Sequence, residues 1–231
     1  MPRVAAAPQP VESMTDRQLQ RRDALLEAVM QLAAERGIDN VQMKLVAEYS
    51  GVALGTTYRY FASKEHLLAS ALVDWHSRLA DRVLTEPATF QSDAERVDRL
   101  VDYLQRGIRG FQRYPSYADL LVYVSGSRDP HAGEALNQMS VRTNRVLRFL
   151  LGPGVSADDF QTVSFVVGSV WLNAILTWRS GRHSLTDTYR LCENGVRLAC
   201  SGLPGLATRP AALPGAAAAS QPRDAVSRRP A

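Results

Sequence analysis

Apolar side chains recur at intervals of three and four residues along most of the chain, which is the period of amphipathic α-helices. No segment shows a convincing alternation of apolar and polar residues of the kind that marks a half-buried strand. Helix-capping signals at Ser63, Ser92, Ser156 and Ser184 and a stop signal at Gly37 divide the pattern into nine helices. The predicted helices cover about 16–36, 43–49, 54–61, 64–84, 93–113, 117–124, 133–151, 157–180 and 185–201. We therefore expect an all-α protein.

The helices group into a small N-terminal unit and a larger second unit. Residues 16–62 hold three helices and residues 63–203 hold the others. Residues 1–15 and 204–231 are rich in Ala and Pro and lack periodicity, so we predict a disordered arm and a disordered tail.

Composition and hydropathy favour a soluble protein over a secreted or membrane-spanning one. The 231 residues are 45% apolar and 22% charged, as in ordinary soluble proteins. The N-terminus lacks the apolar core of a signal peptide. The longest apolar stretch, 160–178, contains Gln161, Ser164, Ser169 and Asn173, which favours a buried helix over a membrane span. We therefore expect a cytoplasmic protein with no membrane partner.

The two cysteines lie eight residues apart on one predicted helix. Cys192 and Cys200 would be separated by about 12 Å along the helix axis, too far for a disulfide within that helix. No CxxC or HxxxH spacing occurs, and the four histidines are scattered. We expect two buried apolar thiols, no metal site and no cofactor.

The net charge of +4 is unevenly distributed. Residues 1–65 contain 8 basic and 8 acidic side chains, residues 66–203 contain 15 and 14, and residues 204–231 contain 4 and 1. The excess of positive charge thus lies largely in the tail. Bulk charge does not indicate a nucleic-acid partner, and any such interpretation depends on local placement.

Residues 51–68, GVALGTTYRYFASKEHLL, form an unusually polar and aromatic stretch. Two short helices joined by a tight turn at Gly51 have helix-turn-helix spacing. Thr57 and Phe61, four residues apart, are expected to face the core together. A hydroxyl or a guanidinium on the remaining surface can bond a phosphate, and Arg59 can also bond a guanine. The side chains expected on that surface are Leu54, Thr56, Tyr58, Arg59 and Tyr60. Gly55 has no side chain and leaves room for a close approach to the helix. Lys64 lies at the start of the next helix, where backbone N–H groups also favour an anion. Tyrosines at the edge of the core beside a solvated Arg59 are the alternative reading.

The run VAEYSGVALGTTYRYFASKEHLLASAL resembles the DNA-binding segment of TetR-family transcriptional regulators. It shares their Ala in the second helix, Gly-Val in the turn and the pattern G-T-x-Y-x-Y-F-x-S-K-x-x-L, which begins at Gly55. The resemblance covers about residues 20–72, with departures at Ala53 and Thr57. It implies that the third helix enters the major groove of a double-stranded DNA operator. The residues that would contact DNA are Lys44, Gly55, Thr56, Tyr58, Arg59, Tyr60 and Lys64.

The same resemblance implies that residues 63–203 bind an effector and form a homodimer. The helix at 157–180 is apolar nearly all round and should therefore be buried on several sides. The predicted dimer interface consists of Val170, Ala174, Leu191, Gly195 and Leu198. The predicted ligand-binding residues are Trp75, Leu104, Ile108, Phe111, Tyr117, Leu121, Met139, Phe165, Trp171 and Asn173, although ordinary core packing would explain each of them. Arg106, Arg109 and Arg113 form a row that either meets a phosphate-bearing ligand or is a solvated face.

A finer resemblance links residues 41–72 and the run SVWLNAILTW to KstR-type regulators of actinobacterial sterol catabolism, which sense CoA thioesters of steroid acids. It implies a bulky apolar or acyl-CoA effector. The leading hypothesis is a homodimeric repressor released from a pseudo-palindromic operator by that ligand. The alternatives are an all-helical hydrolase or lyase and a helical interaction module. No phosphate loop, G-x-S-x-G elbow or metal spacing supports an enzyme.

Overall fold

The computed structural model describes residues 8–86, 89–203 and 206. These residues form nine α-helices and two 3-10 turns, without a strand, so the all-α prediction is confirmed. Each predicted helix is present, with ends that differ by at most three residues. The helices are α1 (Asp16–Arg36), α2 (Met43–Ser50), α3 (Leu54–Tyr60), α4 (Lys64–Thr85), α5 (Asp93–Arg113), α6 (Pro115–Ser125), α7 (Pro130–Leu151), α8 (Ala157–Arg179) and α9 (Leu185–Ser201), and the 3-10 turns are Val11–Ser13 and Ile38–Asn40.

The predicted serine caps define where four of the helices begin. The hydroxyls of Ser63, Ser92, Ser156 and Ser184 each accept a hydrogen bond from the backbone N–H three residues later. Such a cap contributes about 1 kcal/mol because it satisfies a donor that the first helical turn leaves free. Gly37 ends α1 with a φ of 77°, a conformation that glycine adopts without strain.

Helices α1 to α3 form the small N-terminal unit around a shared apolar core. Leu25, Val29 and Val46 are fully buried in it, and Phe61 is 1% exposed. The long helix α4 packs against α1 on one side and against α6 and α7 on the other. The apolar core therefore runs without interruption from the first unit into the second, and α4 is the element that joins them.

The beginning of the chain is more ordered than predicted. The backbone N–H of Gln9 donates to the carbonyl of Arg59 over 3.1 Å, at the end of α3. Thr15 and Gln18 form a capping box that begins α1. The prediction of disorder is therefore wrong for residues 8–15, because hydrogen bonds hold this segment against the first unit.

Most of the two predicted disordered segments lies outside the described residues. Residues 1–7 of the arm and residues 204–205 and 207–231 of the tail are among those that the structure does not describe. Leu206 is described and is 2% exposed, so at this residue the chain still packs on the core. The prediction of a disordered tail is wrong at that position.

Only one face of α8 is buried within the protomer. Val163, Val167 and Ile175 are covered by neighbouring helices, whereas Phe165 is 76% exposed. The expectation that this helix is buried on several sides is therefore wrong for the isolated chain. By length and apolar composition alone, α8 is the one helix among the described residues that qualifies as a membrane span, a test that core helices of soluble proteins also pass.

Both cysteines are buried, as predicted. Burial raises the pKa of the Cys192 thiol to about 12 and that of Cys200 to about 11. Since the thiolate is the reactive form, the two side chains behave as small apolar groups. The described part of the chain holds no group of three or more His, Cys, Asp or Glu side chains that could bind a metal ion.

Candidate DNA-binding surface and effector cavity

A small buried face holds α3 in place. Thr57 is fully buried and Val52, in the turn before the helix, is 8% exposed. The Thr57 hydroxyl donates to the Ala53 carbonyl over 3.3 Å, so that burying it leaves no donor unsatisfied. Gly51 turns the chain between α2 and α3 in a left-handed conformation with a φ of 70°. The predicted inward orientation of Thr57 and Phe61 is confirmed.

The opposite side of α3 is open to solvent. Tyr58 is 48% exposed, Arg59 and Gly55 are exposed, and Thr56 is half-buried. Apart from the adjacent backbone of α3, no atom of the described residues lies within 4 Å of the position that a Cβ on Gly55 would occupy. In the first turn of α2 the Lys44 side chain is 75% exposed, with its ammonium 3.9 Å from Glu48. This surface offers hydroxyl, guanidinium and ammonium donors of the kind that bind phosphates and base edges.

Tyr60 does not belong to the open side of α3. It is 3% exposed and forms part of the hydrophobic core. The prediction that its side chain lies on the outer surface is wrong, because Thr57, Tyr60 and Phe61 follow the i, i+3, i+4 spacing that places residues on one helix face. At most the tip of the Tyr60 side chain can reach a ligand.

Lys64 is held by contacts within the protein. Its ammonium donates to the Asp39 carbonyl over 3.2 Å and lies 5.3 Å from the centre of the Tyr123 ring. The Tyr123 hydroxyl in turn donates to Glu65 over 3.1 Å. These contacts fasten the start of α4 to α6 in the second unit. An ammonium has three donors, so the Asp39 bond leaves two of them available for an anion.

A cavity of about 400 Å³ lies between α4, α5, α6, α7 and α8. This volume falls within the range of about 300–1,000 Å³ that is typical of small-molecule sites. Its walls are mostly apolar. They include five of the residues that were predicted to bind a ligand, namely Trp75, Leu104, Leu121, Met139 and Trp171.

The other five predicted ligand-binding residues do not line this cavity. Ile108 and Phe111 are fully buried in the core, and the Tyr117 ring stacks on the Trp75 ring with ring centres 5.1 Å apart. Phe165 is 76% exposed and Asn173 is exposed. The expectation that Phe165 and Asn173 face the cavity is wrong, because both side chains are exposed and do not share the buried side of α8 with Val163 and Val167.

Two glycines of α5 make room for the tryptophans of the cavity. A Cβ on Gly110 would overlap the Trp75 ring, and a Cβ on Gly107 would lie 3.0 Å from Trp171. Trp75 stacks on Phe111 with ring centres 4.8 Å apart, and the Trp171 indole N–H donates to the Leu104 carbonyl over 3.2 Å. The aromatic wall therefore depends on close approach to the backbone of α5.

One wall of the cavity carries a polar cluster that sequence reasoning missed. His76 Nε2 lies 3.1 Å from the Tyr103 hydroxyl and 3.1 Å from that of Thr143. Burial lowers the pKa of His76 to about 4, so the ring is neutral at pH 7. Its Nδ1 and the Ser164 hydroxyl are buried, and neither has a hydrogen-bond partner among the described residues. The sequence showed His76 only as one of four scattered histidines, and nothing in its spacing indicated the two hydroxyls, which come from other helices.

The arginine row of α5 is largely neutralised. Arg106 pairs with Glu86 over 2.6 Å and with Asp102 over 2.7 Å, and Arg109 pairs with Asp102 over 3.0 Å. A guanidinium that already binds carboxylates is a poor receptor for a phosphate. Of the two readings of this row, the structure favours a surface ion-pair network.

The residues predicted for a dimer interface fall into two groups. Leu191 and Leu198 of α9 are 37% and 76% exposed. Val170 packs against Gly195, where a Cβ would lie 2.7 Å from its Cγ1 atom, and Ala174 is 4% exposed. Val170 and Gly195 are partly exposed and pack against each other between α8 and α9, whereas Ala174 is buried, so these three offer less surface to a partner than Leu191 and Leu198 do. Their place in an interface stays a prediction. The exposed apolar surface instead includes Phe165 and Val166.

Comparisons with known proteins place the chain among bacterial regulators. Residues 25–71 match the family described as "Bacterial regulatory proteins, tetR family". The HTH-type transcriptional repressor KstR of Rhodococcus jostii is 32% identical over 181 residues, which span 78% of this chain and 83% of the relative. KstR of Mycobacterium tuberculosis is 30% identical over 184 residues, spanning 80% and 82%.

Solved structures share the fold. A TetR transcriptional regulator from Rhodococcus sp. RHA1 superimposes with a TM-score of 0.71 at 24% identity, covering 81% of this chain and 99% of the other. FadR of Thermus thermophilus, a TetR-family repressor solved in complex with lauroyl-CoA, gives a TM-score of 0.62 at 18% identity, covering 84% and 99%.

Proposed function

Since this chain belongs to the TetR family of bacterial transcriptional regulators, we propose that it is a homodimeric repressor whose release from DNA is triggered by a ligand. The ligand is a bulky apolar or acyl-CoA molecule, including a steroid-derived one, and the DNA is a pseudo-palindromic operator. As a member of this family the chain is a DNA-binding transcriptional regulator and not an enzyme. We place its action in the cytoplasm, where the DNA is.

The open side of α3 is the observation that carries the proposal. Tyr58 and Arg59 project from a helix whose other side is locked in the core, next to a glycine that leaves the backbone accessible. A helix presented in this way can enter a major groove, with Arg59 on a phosphate or a guanine and Thr56 on the backbone. Lys44, at the start of α2, adds a phosphate contact beside it.

The exposed apolar side chains of α8 and α9 support a dimer. Phe165 and Leu198 are each 76% exposed, and Val166 and Leu191 are each 37% exposed. Large apolar side chains exposed on two helices that pack together, α8 and α9, favour association, because burial removes them from water. A two-fold pairing of these helices would present two copies of α3 to two half-sites, about 34–36 Å apart or at a multiple of that spacing.

The cavity supports an apolar effector. Its walls are aromatic and aliphatic, with one polar cluster around His76 that can orient a carbonyl or hydroxyl group. The KstR repressors are relatives of this chain, and FadR of Thermus thermophilus, which shares its fold, was solved in complex with lauroyl-CoA. A ligand releases the operator only if it binds more tightly to a dimer geometry that does not fit the two half-sites.

Gel-shift titrations on DNA selected from a random pool test the DNA-binding part of the proposal. We expect Arg59→Ala to weaken operator binding by about 1–3 kcal/mol, and Lys44→Ala to reduce the slope of log affinity against log salt by about 1. Arg82→Ala, an exposed arginine of α4, is the matched control and should bind as wild type does. Unchanged affinity in both Arg59→Ala and Lys44→Ala would exclude this surface.

A further inference from the structure

A second concavity opens beside the effector cavity, where the loop before α5, the end of α7 and the start of α8 meet. This open groove has a volume of about 800 Å³. Three arginines line it, Arg96 from α5 and Arg145 and Arg148 from α7, and its lining includes no carboxylate. Helix spacing does not reveal this grouping, because it joins residues that lie about 50 positions apart in the chain.

Two of the three guanidinium groups are fixed in place by uncharged neighbours. Arg148 lies 3.7 Å from the centre of the Phe160 ring and donates to the Val155 carbonyl over 2.8 Å. Arg96 lies 4.4 Å from the centre of the Phe90 ring and donates to the Leu150 carbonyl over 3.2 Å. Carbonyls and ring faces orient a guanidinium without cancelling its charge, so both groups remain able to bind an anion.

The charge of this groove is largely uncompensated. Of its three arginines, Arg96 has a carboxylate partner among the described residues, Asp93, but over a long distance of 3.9 Å. Arg145 is exposed, and neither it nor Arg148 pairs with a carboxylate of the described residues. Arg106 and Arg109 of the α5 row have carboxylate partners at 2.6–3.0 Å instead. Of the two arginine clusters, this groove is therefore the one available to a phosphate.

The groove and the cavity share a wall. Asn144 of α7 lines both of them. On either side of it, Thr143 and Leu147 line the cavity, whereas Arg145 and Arg148 line the groove. An amphiphile with its apolar portion in the cavity would pass over Asn144 on the surface of α7 and place its head group among the arginines.

We propose that Arg96, Arg145 and Arg148 form a subsite for the phosphate-bearing head group of an amphiphilic effector. Guanidinium groups bind phosphate oxygens through paired, charge-assisted hydrogen bonds, which makes three arginines that line one groove favour a phosphate ester over a neutral ester. This inference rests on the proposed function, since it names the head group of a ligand whose apolar portion fills the cavity. A coenzyme A thioester and a lysophospholipid both carry this chemistry.

Isothermal titration calorimetry of the full chain tests the subsite, with lauroyl-CoA, lauroyl lysophosphatidic acid and methyl laurate as probes that share one tail. Wild type should bind a phosphate-bearing probe at least about tenfold more tightly than methyl laurate, since a charge-assisted bond is worth about one power of ten. Arg145→Ala should weaken the binding of the phosphate-bearing probes about tenfold, and Arg145→Glu should weaken it further. Arg145→Lys should bind these probes with an affinity between those of wild type and Arg145→Ala. All three should leave methyl laurate unaffected, and Arg82→Ala should leave every probe unaffected.

The two lauroyl head groups decide between the sources of phosphate. Tighter binding of lauroyl-CoA assigns the groove to a coenzyme A thioester, and tighter binding of the lysophosphatidic acid assigns it to a lipid. The subsite is overturned if wild type binds all three probes with equal affinity. It is also overturned if Arg145→Glu loses as much affinity for methyl laurate as for the phosphate-bearing probes. The absence of binding by any of the probes overturns it as well.

Measurements of operator binding show whether a failure concerns the phosphate subsite or the proposed function. Arg145→Glu without ligand should bind selected DNA as wild type does, and a loss there would show that the arginines contact DNA, overturning the subsite. A wild type that binds all three probes equally and is released from DNA by them would keep the proposed function without the subsite. Arginine-dependent binding of lauroyl-CoA that leaves operator binding unchanged would keep the subsite and remove the proposed role of the ligand.

Discussion

The surface around α3 and the cavity between α4 and α8 are built in different ways. The α3 surface comes from one short segment, so that its polar side follows from the helical period once Thr57 and Phe61 are known to be buried. The cavity takes its walls from five helices, and its polar cluster joins His76, Tyr103 and Thr143 from three of them. The comparison shows that a surface on one helix can be read locally, whereas a cavity depends on how separate helices pack.

The largest expected effect comes from removing the inward anchor of the DNA-binding surface. Phe61→Ala should reduce the free energy of unfolding by about 3–5 kcal/mol, because it deletes a fully buried ring and leaves a cavity. Urea titration followed by circular dichroism measures this loss. Tyr58→Ala, on the exposed side of the same helix, should change stability by less than about 0.5 kcal/mol while weakening DNA binding. Equal stability losses in the two variants would show that α3 does not have these two sides.

A charge on the outer face of α8 should separate the protomers. Phe165→Arg places a guanidinium in the proposed interface, and we expect it to weaken dimerisation by about 2 kcal/mol or more, which is about 30-fold. Analytical ultracentrifugation across a dilution series measures the shift. Gln31→Arg, exposed on α1, is the matched control and should remain a dimer. A Phe165→Arg protein that stays dimeric would place the interface elsewhere.

Substitutions of two glycines test the cavity and the α3 surface separately, without a change of charge. Gly110→Ala would push against the Trp75 ring, so we expect a loss of about 1–3 kcal/mol in stability together with weaker lauroyl-CoA binding. Gly55→Ala has open space around the new methyl and should gain up to about 1 kcal/mol in helix propensity, yet weaken operator binding by obstructing close approach. Thermal unfolding, calorimetry and gel shifts measure the three quantities. If the Gly110 variant keeps wild-type stability and ligand affinity, the aromatic wall does not depend on that contact.

Acid should destabilise the fold through His66 and His76, two histidines of α4 that are shielded from water. Burial lowers the pKa of His66, in contact with Phe61, and that of His76, at the cavity, from 6.5 to about 4. Between these values the unfolded chain binds more protons than the folded chain, so stability is greatest above pH 6.5 and falls as the pH approaches 4. At pH 5 the loss is on the order of 1 kcal/mol for each histidine. Urea midpoints at pH 7 and pH 5 should therefore differ less in His66→Gln and in His76→Gln than in wild type, and an undiminished difference would contradict this account.

The sequence predicted the fold more fully than the sites. Capping residues and apolar periodicity gave helix ends within three residues of those observed, because both signals act within a few residues of the chain. Errors at the sites arose where one residue had two suitable environments. Tyr60 suits either a phosphate contact or a core edge, and Phe165 suits either a cavity wall or an interface, so packing alone decides between them.

The arginines give the clearest case of a site that the sequence concealed. Arg106 and Arg109 stood out because they share one helix face, yet Glu86 and Asp102 neutralise them. No spacing in the sequence groups Arg96 with Arg148, because the groove that both residues line forms only where α5 packs beside α7.

By itself the sequence determined nine helices, a helix-turn-helix unit and the residues that lock α3 into the core, because helical period and capping act over one to four residues. Only the tertiary structure decided which side chains enclose the cavity, which apolar residues stay exposed on α8 and α9, and which arginines keep their charge available. Those outcomes depend on distances between helices that are far apart in the chain, and a pattern read along one helix does not contain them.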